Sequence, residues 1–333
     1  MLKSSFVTQA DIAKAVGVSQ SLVSDVIHDR NRVRIRPILR RKILAVAKEM
    51  GYQPNVAAQA LRCCRSMQIA YINLHTNQRE SPLFRDAALG GVAAEVRSRG
   101  YRLLVDAMQP EGAGAQMIET MIGARACDGA IVRAYQAGDL YWDQLRSLRR
   151  SVVVIGQCPA PEMVSIAHDA QSLIRGALES LRRLGHDRIA LILPPARDMF
   201  SGLLRSVWLD AAGGNAHEML VQQSNRAGVI DVVTSWISMR NGATAFIATD
   251  SASLSWALTG ARGKGARLSI DVDMHGFVDV SLAPMVEPGV WLSLLDGTAC
   301  GSQAAAALFE MLDGGDGPGP IRLPSPIILS DMI

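Results

Sequence analysis

The sequence has few cysteines and no long run of uncharged apolar residues. Five cysteines among 333 residues form no C-x-x-C pair, and their odd number argues against a disulfide framework. No stretch approaches the roughly 20 apolar residues of a membrane span, and no apolar run follows the first five residues. We therefore expect neither an anchor nor a signal peptide, and a cytoplasmic protein with reduced thiols. For the adjacent pair Cys63-Cys64, an incidental role and a redox role both stay open.

The sequence also lacks the motifs that carry common enzyme chemistry. It contains no G-x-S-x-G, no H-E-x-x-H and no G-x-x-x-x-G-K-[ST], and Gly112-Ala113-Gly114 lacks the third glycine of a dinucleotide fingerprint. The six histidines show no metal-ligand spacing, and we expect them at the surface or at helix caps. The protein is therefore expected not to be an enzyme and to hold no metal ion or cofactor.

Positive charge is concentrated at the start of the chain. Residues 1–66 hold twelve Lys or Arg side chains against four acidic ones, a net charge of +8, and the remaining residues carry −5. Nucleic-acid-binding modules show this pattern because Lys and Arg neutralise phosphates and release counterions. A solvated basic surface is the alternative at this point. With 49% hydrophobic residues, the chain is long enough for two or three domains.

Two short helices separated by a glycine are predicted within this basic segment. Thr8 and Asp11 form a capping-box pattern at the start of the first helix, and Gly17 ends it where a positive φ is needed. Ser19 is a good N-cap for the second helix. Two helices joined by such a tight turn are typical of the helix-turn-helix motif, whose second helix enters the DNA major groove.

Short polar side chains occupy the start of the second predicted helix. Gln20 and Ser21 lie in its first turn and Ser24 one turn later, at positions from which polar side chains are able to reach base edges. Solvation of an exposed helix face is the alternative reading of these residues. The first reading predicts that they recognise DNA bases.

A third helix and a short further helix are predicted next. Pro37 suits the first position of a helix, Gly51 stops it, and its expected core positions are Ile43, Leu44, Ala47 and Met50. Pro54-Asn55 then breaks the chain, and residues 56–61 form a helix too short to be stable by itself in water. This short helix must therefore fold on another surface.

The rest of the chain alternates short apolar runs with predicted helices. Continuous apolar strands separated by helices indicate parallel sheets covered on both faces, which is an α/β architecture. The predicted strands are 69–74, 102–105, 129–132, 152–155, 189–193, 244–248 and 274–277, with a final strand at 326–329. Such sheets bind small ligands at the carboxyl ends of their strands.

Two spaced motifs match a known family pattern. The pattern V-T-x-x-D-[IV]-A-x-x-A-G-V-S-x-x-T-V-S is matched at Val7-Thr8, Asp11-Ile12-Ala13, Val16-Gly17-Val18-Ser19 and Leu22-Val23-Ser24. The later pattern G-Y-x-P-N-x-x-A-x-x-L is matched at Gly51-Tyr52-Gln53-Pro54-Asn55, Ala58 and Leu61. Shorter matches in the second half of the chain include Leu184-Gly185-His186 and Ala248-Thr249-Asp250. Over nearly its whole length, the chain thus resembles the lactose-repressor (LacI) family of bacterial transcription regulators.

This resemblance implies an all-α helix-turn-helix head and an α/β body of two doubly wound parallel-sheet subdomains, like a periplasmic binding protein. The implied domains are a DNA-binding domain at 1–53, a hinge helix and linker at 54–66, and an effector-binding and dimerisation domain at 67–333. Within the last, the first subdomain is expected at about 67–163 and 296–323, and the second at about 164–295 and 324–333. The two expected crossings between them lie near 160–166 and 290–296.

The resemblance also implies a sequence-specific repressor, controlled by a sugar or related metabolite, that binds pseudo-palindromic double-stranded DNA as a homodimer. Leu61 matches a leucine that inserts into the minor groove and kinks the DNA. Two residues depart from the family pattern, because Asp25 stands in place of an arginine and Arg36 in place of a Ser or Thr cap. The expected DNA-binding residues are Thr8, Ser19, Gln20, Ser21, Ser24, Tyr52, Asn55, Ala58 and Leu61.

The match weakens where members of the family hold their effectors. The pattern G-[FY]-D-D reads Gly276-Phe277-Val278-Asp279 here, and Leu204 replaces an arginine four residues before Trp208. The remaining candidates for effector binding are Phe84, Asp169 and Asp250, although Asp250 also suits the N-cap of a helix. Either the effector is less polar than a sugar, or effector control has been modified or lost. An activator, an architectural DNA-binding protein and a solute-binding protein are further alternatives.

Overall fold

The chain forms two units, the head, Met1–Cys64, and the body, Arg65–Ile333. The computed structural model describes residues 7–27, 35–53, 65–74, 82–108, 114–133, 139–193, 199–212, 217–220, 225–239 and 242–332. The predicted hinge helix with Asn55, Ala58 and Leu61, and the pair Cys63-Cys64, lie outside these residues. Within the described ranges, no helix has the length and apolar character needed to cross a membrane.

Three helices form the head around a small apolar core. They are α1 (Gln9–Val16), α2 (Gln20–Ile27) and α3 (Pro37–Glu49), as predicted. The buried core side chains are Ile12, Ala13, Val23, Val26, Ile43 and Ala47. The prediction for Leu44 was wrong, since its side chain is 44% exposed. Ile43 and Ala47 lie one helical turn apart and face the core, which turns Leu44 towards the solvent.

A six-stranded sheet forms the first half of the body. In spatial order its strands are β11 (Ile321–Leu323), β5 (Ser165–His168), β4 (Val152–Ile155), β3 (Gly129–Arg133), β1 (Gln68–Leu74) and β2 (Arg102–Met108). All neighbouring strands are parallel. One face packs on α4 (Pro82–Ser98) and α11 (Gly297–Leu312), and the other on α5 (Gly114–Gly123) and α6 (Asp139–Ser147).

A second six-stranded sheet forms the other half. In spatial order its strands are β12 (Ile327–Leu329), β10 (Val290–Leu295), β9 (Asp273–Asp279), β8 (Ala245–Ala248), β6 (Ile189–Leu193) and β7 (His217–Leu220). One face packs on α9 (Arg226–Ser238) and α10 (Ser251–Gly263), and the other on α7 (Ala170–Arg183) and α8 (Met199–Ala212). Short 3-10 helices span Ala283–Met285 and Ser330–Met332. Only β12, at the edge, runs antiparallel to its neighbour.

Several strands are buried along their whole length. Every residue of β4 and of β8, for example, is buried. Helices cover both faces of such strands, so apolar residues run continuously along them instead of alternating with polar ones. The predicted body of two doubly wound sheets is confirmed.

Three segments cross between the two sheets, at residues 168–170, 295–297 and 323–327. The first crossing lies later than expected, because Ser165–His168 pairs with β4 and β11 inside the first sheet. The expected subdomain boundary at residue 163 is therefore corrected to His168. Most of the second expected crossing is strand β10, so the chain leaves the second sheet only after Leu295.

Helices α4 and α11 approach each other closely at glycines. A Cβ atom added at Gly301 would lie 1.9 Å from the carbonyl oxygen of Ala88, and one added at Gly91 would lie 2.2 Å from that of Thr298. Neither distance is compatible with a side chain, so these positions require glycine. The contact packs the helix that follows the second crossing against α4.

Candidate DNA interface and ligand cleft

The first helix of the head is fixed by a capping box. The Thr8 hydroxyl donates to Oδ2 of Asp11 at 2.7 Å, the Thr8 amide donates to the same oxygen at 2.9 Å, and the Asp11 amide donates back to the Thr8 hydroxyl oxygen at 3.3 Å. These hydrogen bonds hold the pKa of Asp11 below its usual value. Thr8 is exposed, so its predicted contact with a DNA phosphate would be made beside this hydrogen-bonded pair.

The turn between the first two helices has the predicted glycine geometry. Gly17 adopts a φ of +80°, and its amide donates to the carbonyl of Ala13 at 2.9 Å. Val18 packs against the core, and the Ser19 hydroxyl oxygen accepts a hydrogen bond from the amide of Leu22 at 3.3 Å. The turn thereby starts α2 at Gln20, directly after its cap.

Helix α2 separates an apolar face from a polar one. Val23 and Val26 are buried, whereas Gln20 and Ser21 are exposed in the first turn. Ser24 is half-buried on the following turn. The geometry is that of a helix whose N-terminal side chains point away from the core and are free to enter a groove. Tyr52 packs against the core from beyond α3, and its amide donates to the carbonyl of Ala47.

The third helix brings a row of cations to the surface. Arg36 occupies the N-cap without any capping hydrogen bond from its side chain. A cation at this end is opposed by the positive helix terminus, and a phosphate next to it would offset the repulsion. The exposed cations of this helix region are Arg36, Arg41, Lys42 and Lys48.

In the body, polar groups gather at the carboxyl ends of the strands. Arg133 ends β3 and is only 4% exposed, with its guanidinium 5.5 Å from the centroid of the Phe84 ring. His168 ends β5, and its ring meets Phe84 edge to face at 6.2 Å between centroids. Phe84 is therefore the one predicted effector residue whose aromatic contacts tie it directly to this edge of the first sheet.

The two predicted effector carboxylates both cap helices. Asp169 accepts hydrogen bonds from the amides of Gln171 and Ser172 and from the Ser172 hydroxyl, at the start of α7. Burial raises the pKa of Asp169, but these hydrogen bonds outweigh it and hold that pKa below its usual value. Asp250 likewise accepts from the amide and the hydroxyl of Ser253. Each carboxylate thus has a structural role at the strand edge.

The positions that depart from the family's effector-binding pattern, Leu204 and Val278, lie in the apolar core. Val278 is 1% exposed and packs with the side chains between the second sheet and its helices. Leu204 and Trp208 are buried in the cluster on the opposite face. Asp279, one residue further on, is 3% exposed, and its Oδ1 accepts hydrogen bonds from the amide and the hydroxyl of Ser281. Among the described residues, its Oδ2 atom has no hydrogen-bond partner.

The expectation that histidines lie at the surface or at caps was wrong for three of them. His168 is 5% exposed, His275 is fully buried, and the His186 side chain is 15% exposed. Each ring bonds groups that are distant in sequence. The partners of a buried histidine or arginine are distant in sequence and leave no local pattern. For this reason the sequence did not identify His168 or Arg133 at this edge. In the described residues, no group of three or more metal-ligating side chains comes together.

Comparison with known proteins finds similar sequences for both the head and the body. A family model described as bacterial regulatory proteins, lacI family, matches residues 8–55. The transcriptional regulator CelR of Thermobifida fusca is 26% identical over 324 residues, covering 94% of this chain and 93% of that protein. MalR of Streptomyces coelicolor is 26% identical, with coverage of 93% and 91%. MalR of Staphylococcus xylosus is 29% identical, but this match spans 56% of the chain and 55% of that protein.

Solved structures share the fold of the whole chain. The lac repressor dimer bound to operator and the anti-inducer ONPF matches with a TM-score of 0.78 at 18% identity, covering 97% of this chain and 98% of that one. The complex of the regulator CelR with cellobiose matches with a TM-score of 0.64 at 20% identity, with the same coverage.

Proposed function

Since the chain belongs to the LacI family of bacterial regulatory proteins and is a DNA-binding transcriptional regulator, we propose that it is a repressor that acts as a homodimer. Its two heads would bind the halves of a pseudo-palindromic operator, because two-fold protein symmetry is mirrored in the DNA. It acts by binding and carries out no catalysis. The lac repressor, which has this fold, is a dimer bound to operator in its solved structure.

The exposed first turn of α2 is the observation that carries this proposal. Gln20 and Ser21 project from a helix whose opposite face, Val23 and Val26, is held in the core. Gln is able to bond an adenine edge through two hydrogen bonds, and a serine hydroxyl both donates and accepts. Ser24 would extend base contact by one turn, while Thr8, Ser19, Tyr52 and Asn55 would contact phosphates. Ala58 is a further proposed DNA-binding residue.

Selection of bound fragments from a random double-stranded DNA library, at two salt concentrations, tests the proposal. We expect an enriched palindrome with a flexible pyrimidine–purine step at its centre, where a wedge kinks DNA at the least cost. Salt-sensitive binding without any enriched sequence would contradict the repressor and favour an architectural role. An activator would yield the same palindrome, and transcription from a promoter carrying it would then rise in the presence of the protein.

Two substitutions locate sequence recognition in the head. Gln20→Ala should relax the selected sequence at one position per half-site and cost about 1–3 kcal/mol of specific binding. Gln171→Ala is the matched control, because Gln171 is an exposed glutamine at the start of a body helix. Leu61→Ala should weaken operator binding strongly and leave nonspecific binding nearly unchanged, whereas an equal loss on both DNAs would contradict the wedge.

We further propose that a sugar or related metabolite binds at the carboxyl ends of the strands and controls operator affinity. Phe84, with the Arg133 guanidinium over its ring, offers an apolar face on which a sugar ring is able to stack. Asp169 follows β5 in the first sheet and Asp250 follows β8 in the second, each at the carboxyl end of its strand. A thermal-shift screen with cellobiose and a panel of mono- and disaccharides tests this, with Phe84→Ala as the variant that should lose any stabilisation.

The alternative is that effector control has been altered or lost. It is favoured by Val278 and Leu204, which occupy positions of the family's polar ligand contacts and lie in the apolar core. Under this alternative, no sugar would raise the melting temperature, and the selected operator would be bound equally with and without the panel. Less polar metabolites would then form the next panel to screen.

A further inference from the structure

The His168 ring connects all three segments that cross between the sheets. Its own residue begins the first crossing. Its Nε2 atom lies 3.0 Å from the backbone nitrogen of Asp296 in the second, and its Nδ1 atom lies 2.9 Å from the hydroxyl of Ser325 in the third. The crossings are 128 and 157 residues away from His168 in sequence. These side-chain bonds add to backbone hydrogen bonds between the same segments, from the amide of Asp169 to the carbonyl of Leu323 and from the amide of Leu294 to the carbonyl of Pro326.

The hydrogen bonds fix the protonation of this ring. A backbone amide only donates, so Nε2 must accept from Asp296 and the proton must lie on Nδ1, which donates to Ser325. The side-chain amide of Gln157 donates to the carbonyl of His168 at 3.1 Å and holds the residue from its other side. A doubly protonated ring would place an N–H group against the amide of Asp296 and break that bond.

The third crossing is stiff where His168 binds it. Pro324 and Pro326 flank Ser325, and a proline ring fixes φ near −65°. The His168 ring therefore attaches the other two crossings to the least deformable of the three. In two-domain proteins, closure is absorbed by a few residues at the ends of strands and helices, and His168, Asp296 and Ser325 occupy such positions.

We propose that His168 is a positioning residue that holds the two sheets at one angle. Through Phe84, it also transmits ligand binding at the carboxyl ends of the strands to that angle. The transmission rests on the proposed effector site, because Phe84 forms the edge-to-face contact with His168 at 6.2 Å. A ligand stacked on Phe84 would move the Phe84 ring against the His168 ring. His168 lies in the first crossing and forms hydrogen bonds to the other two.

The charges that face His168 come from each of the packed elements. The Asp296 carboxylate caps α11, Asp279 ends β9, and Asp169 follows His168 directly and caps α7. The Arg133 guanidinium lies over the Phe84 ring, which contacts His168. Burial lowers the pKa of His168, although the negative charges of Asp296 and Asp279 act in the opposite direction. The neutral ring is therefore the form present at neutral pH, and acidification below the usual histidine range weakens the connection.

Distances between two spin labels, one in each half of the body, test the proposal. The full-length chain carries labels at Arg150→Cys and Lys264→Cys, both exposed, and Cys63, Cys64 and Cys158 are changed to serine. Labelled chains are diluted in unlabelled protein so that only distances within one chain contribute. We expect a single narrow distribution for the parent, and a broader or shifted one for His168→Leu and Ser325→Ala at neutral pH.

Matched variants distinguish the loss of the His168 hydrogen bonds between the crossings from a general loss of packing. Ser293→Ala also removes a hydroxyl bonded to a buried histidine, His275, but within the second half alone, so it should leave the distance unchanged. His168→Gln keeps an acceptor for the Asp296 amide and should restore much of the parent distribution. If His168→Leu fails to fold, Ser325→Ala decides, since it removes one oxygen atom only.

Two results would overturn the proposal. One is an unchanged distribution in Ser325→Ala, in His168→Leu if it folds, and in the acidified parent; the other is an equal change in Ser293→Ala. The transmission from Phe84 to His168 is tested with a double variant. Phe84→Leu should shift the distance distribution of the parent protein but cause no further shift when His168→Leu is already present. Additive shifts would contradict the transmission. The measurement uses neither DNA nor a sugar, so failure of the proposed function would be recognised separately.

Discussion

His186 and Asp273 form a largely buried pair that joins three elements of the second half of the body. The Nε2 atom of His186 lies 2.6 Å from Oδ2 of Asp273, and its Nδ1 atom lies 2.9 Å from the hydroxyl of Thr244. The side chains of the pair are 15% and 12% exposed. The turn after α7 is thereby fixed to the starts of β8 and β9.

Asp273→Asn should lower the free energy of unfolding by about 2–3 kcal/mol, because it weakens a charge-assisted hydrogen bond in a poorly solvated place. Denaturant unfolding measures this. Glu179→Gln is the control, since Glu179 pairs with Arg183 on the surface of α7, and it should cost less than about 0.5 kcal/mol. Equal effects of the two substitutions would contradict a special role for the buried pair.

Gly301→Ala should destabilise the protein by about 2 kcal/mol or more, because its Cβ would lie 1.9 Å from the Ala88 carbonyl oxygen and force α4 and α11 apart. Gly90→Ala is the matched substitution in the same helix pair, at a position with open space within 4 Å. It should stabilise the protein by about 0.5–1 kcal/mol, since alanine favours a helix. Thermal unfolding of both variants compares the two signs directly.

Arg36→Ser should change stability and DNA binding in opposite directions. Serine supplies the N-cap that Arg36 lacks, which should stabilise the head by about 1 kcal/mol. The lost cation should weaken binding to all DNA sequences and reduce the slope of log affinity against log salt by about 0.9, if Arg36 contacts one phosphate. An unchanged slope would show that this side chain points away from the DNA.

The buried His275 makes stability depend on pH. Its ring lies between the hydroxyls of Ser180 and Ser293, and burial lowers the pKa of His275 to about 3. The unfolded chain binds a proton near the usual value of about 6.5, so between these pH values the unfolded state holds the extra proton. Stability should therefore fall as the pH falls from about 6.5, by up to about tenfold in the unfolding equilibrium per pH unit.

Denaturant midpoints of the parent and of His275→Gln, measured between about pH 7 and about pH 4, check this dependence. The difference between the two chains isolates His275 from the carboxylates and from His168, which titrate in both. The parent should lose stability more steeply than the variant. Parallel curves would mean that the ring is protonated in the folded protein.

Local patterns predicted most of the secondary structure. Thr8, Gly17 and Pro37 each act within one turn of the chain, so the helices of the head follow from neighbouring residues alone. Apolar runs such as Ile189–Leu193 identified central strands, because burial on both faces leaves an unbroken signal. The short or interrupted strands escaped prediction, namely Ser165–His168, His217–Leu220, Val290–Leu295 and Ile321–Leu323.

The polar groups at the strand ends of the body were harder to predict than the head. In β10, Ser293 interrupts the apolar run, and its hydroxyl is explained only by His275 on the neighbouring strand. Arg133 resembles a surface cation in the sequence, and only the fold places its guanidinium over the Phe84 ring. Asp169 and Asp250 follow the local capping rule, so the sequence alone does not separate a helix cap from a ligand contact.

The order of the strands has a consequence for synthesis on the ribosome. Five of the six strands of the second sheet lie between residues 189 and 295, so they emerge together and are able to pair early. The first sheet begins to emerge before them, yet it receives α11 and β11 only with residues 297–323. Until then one apolar face of that sheet lacks half of its cover, and the nascent chain offers chaperones a binding surface there.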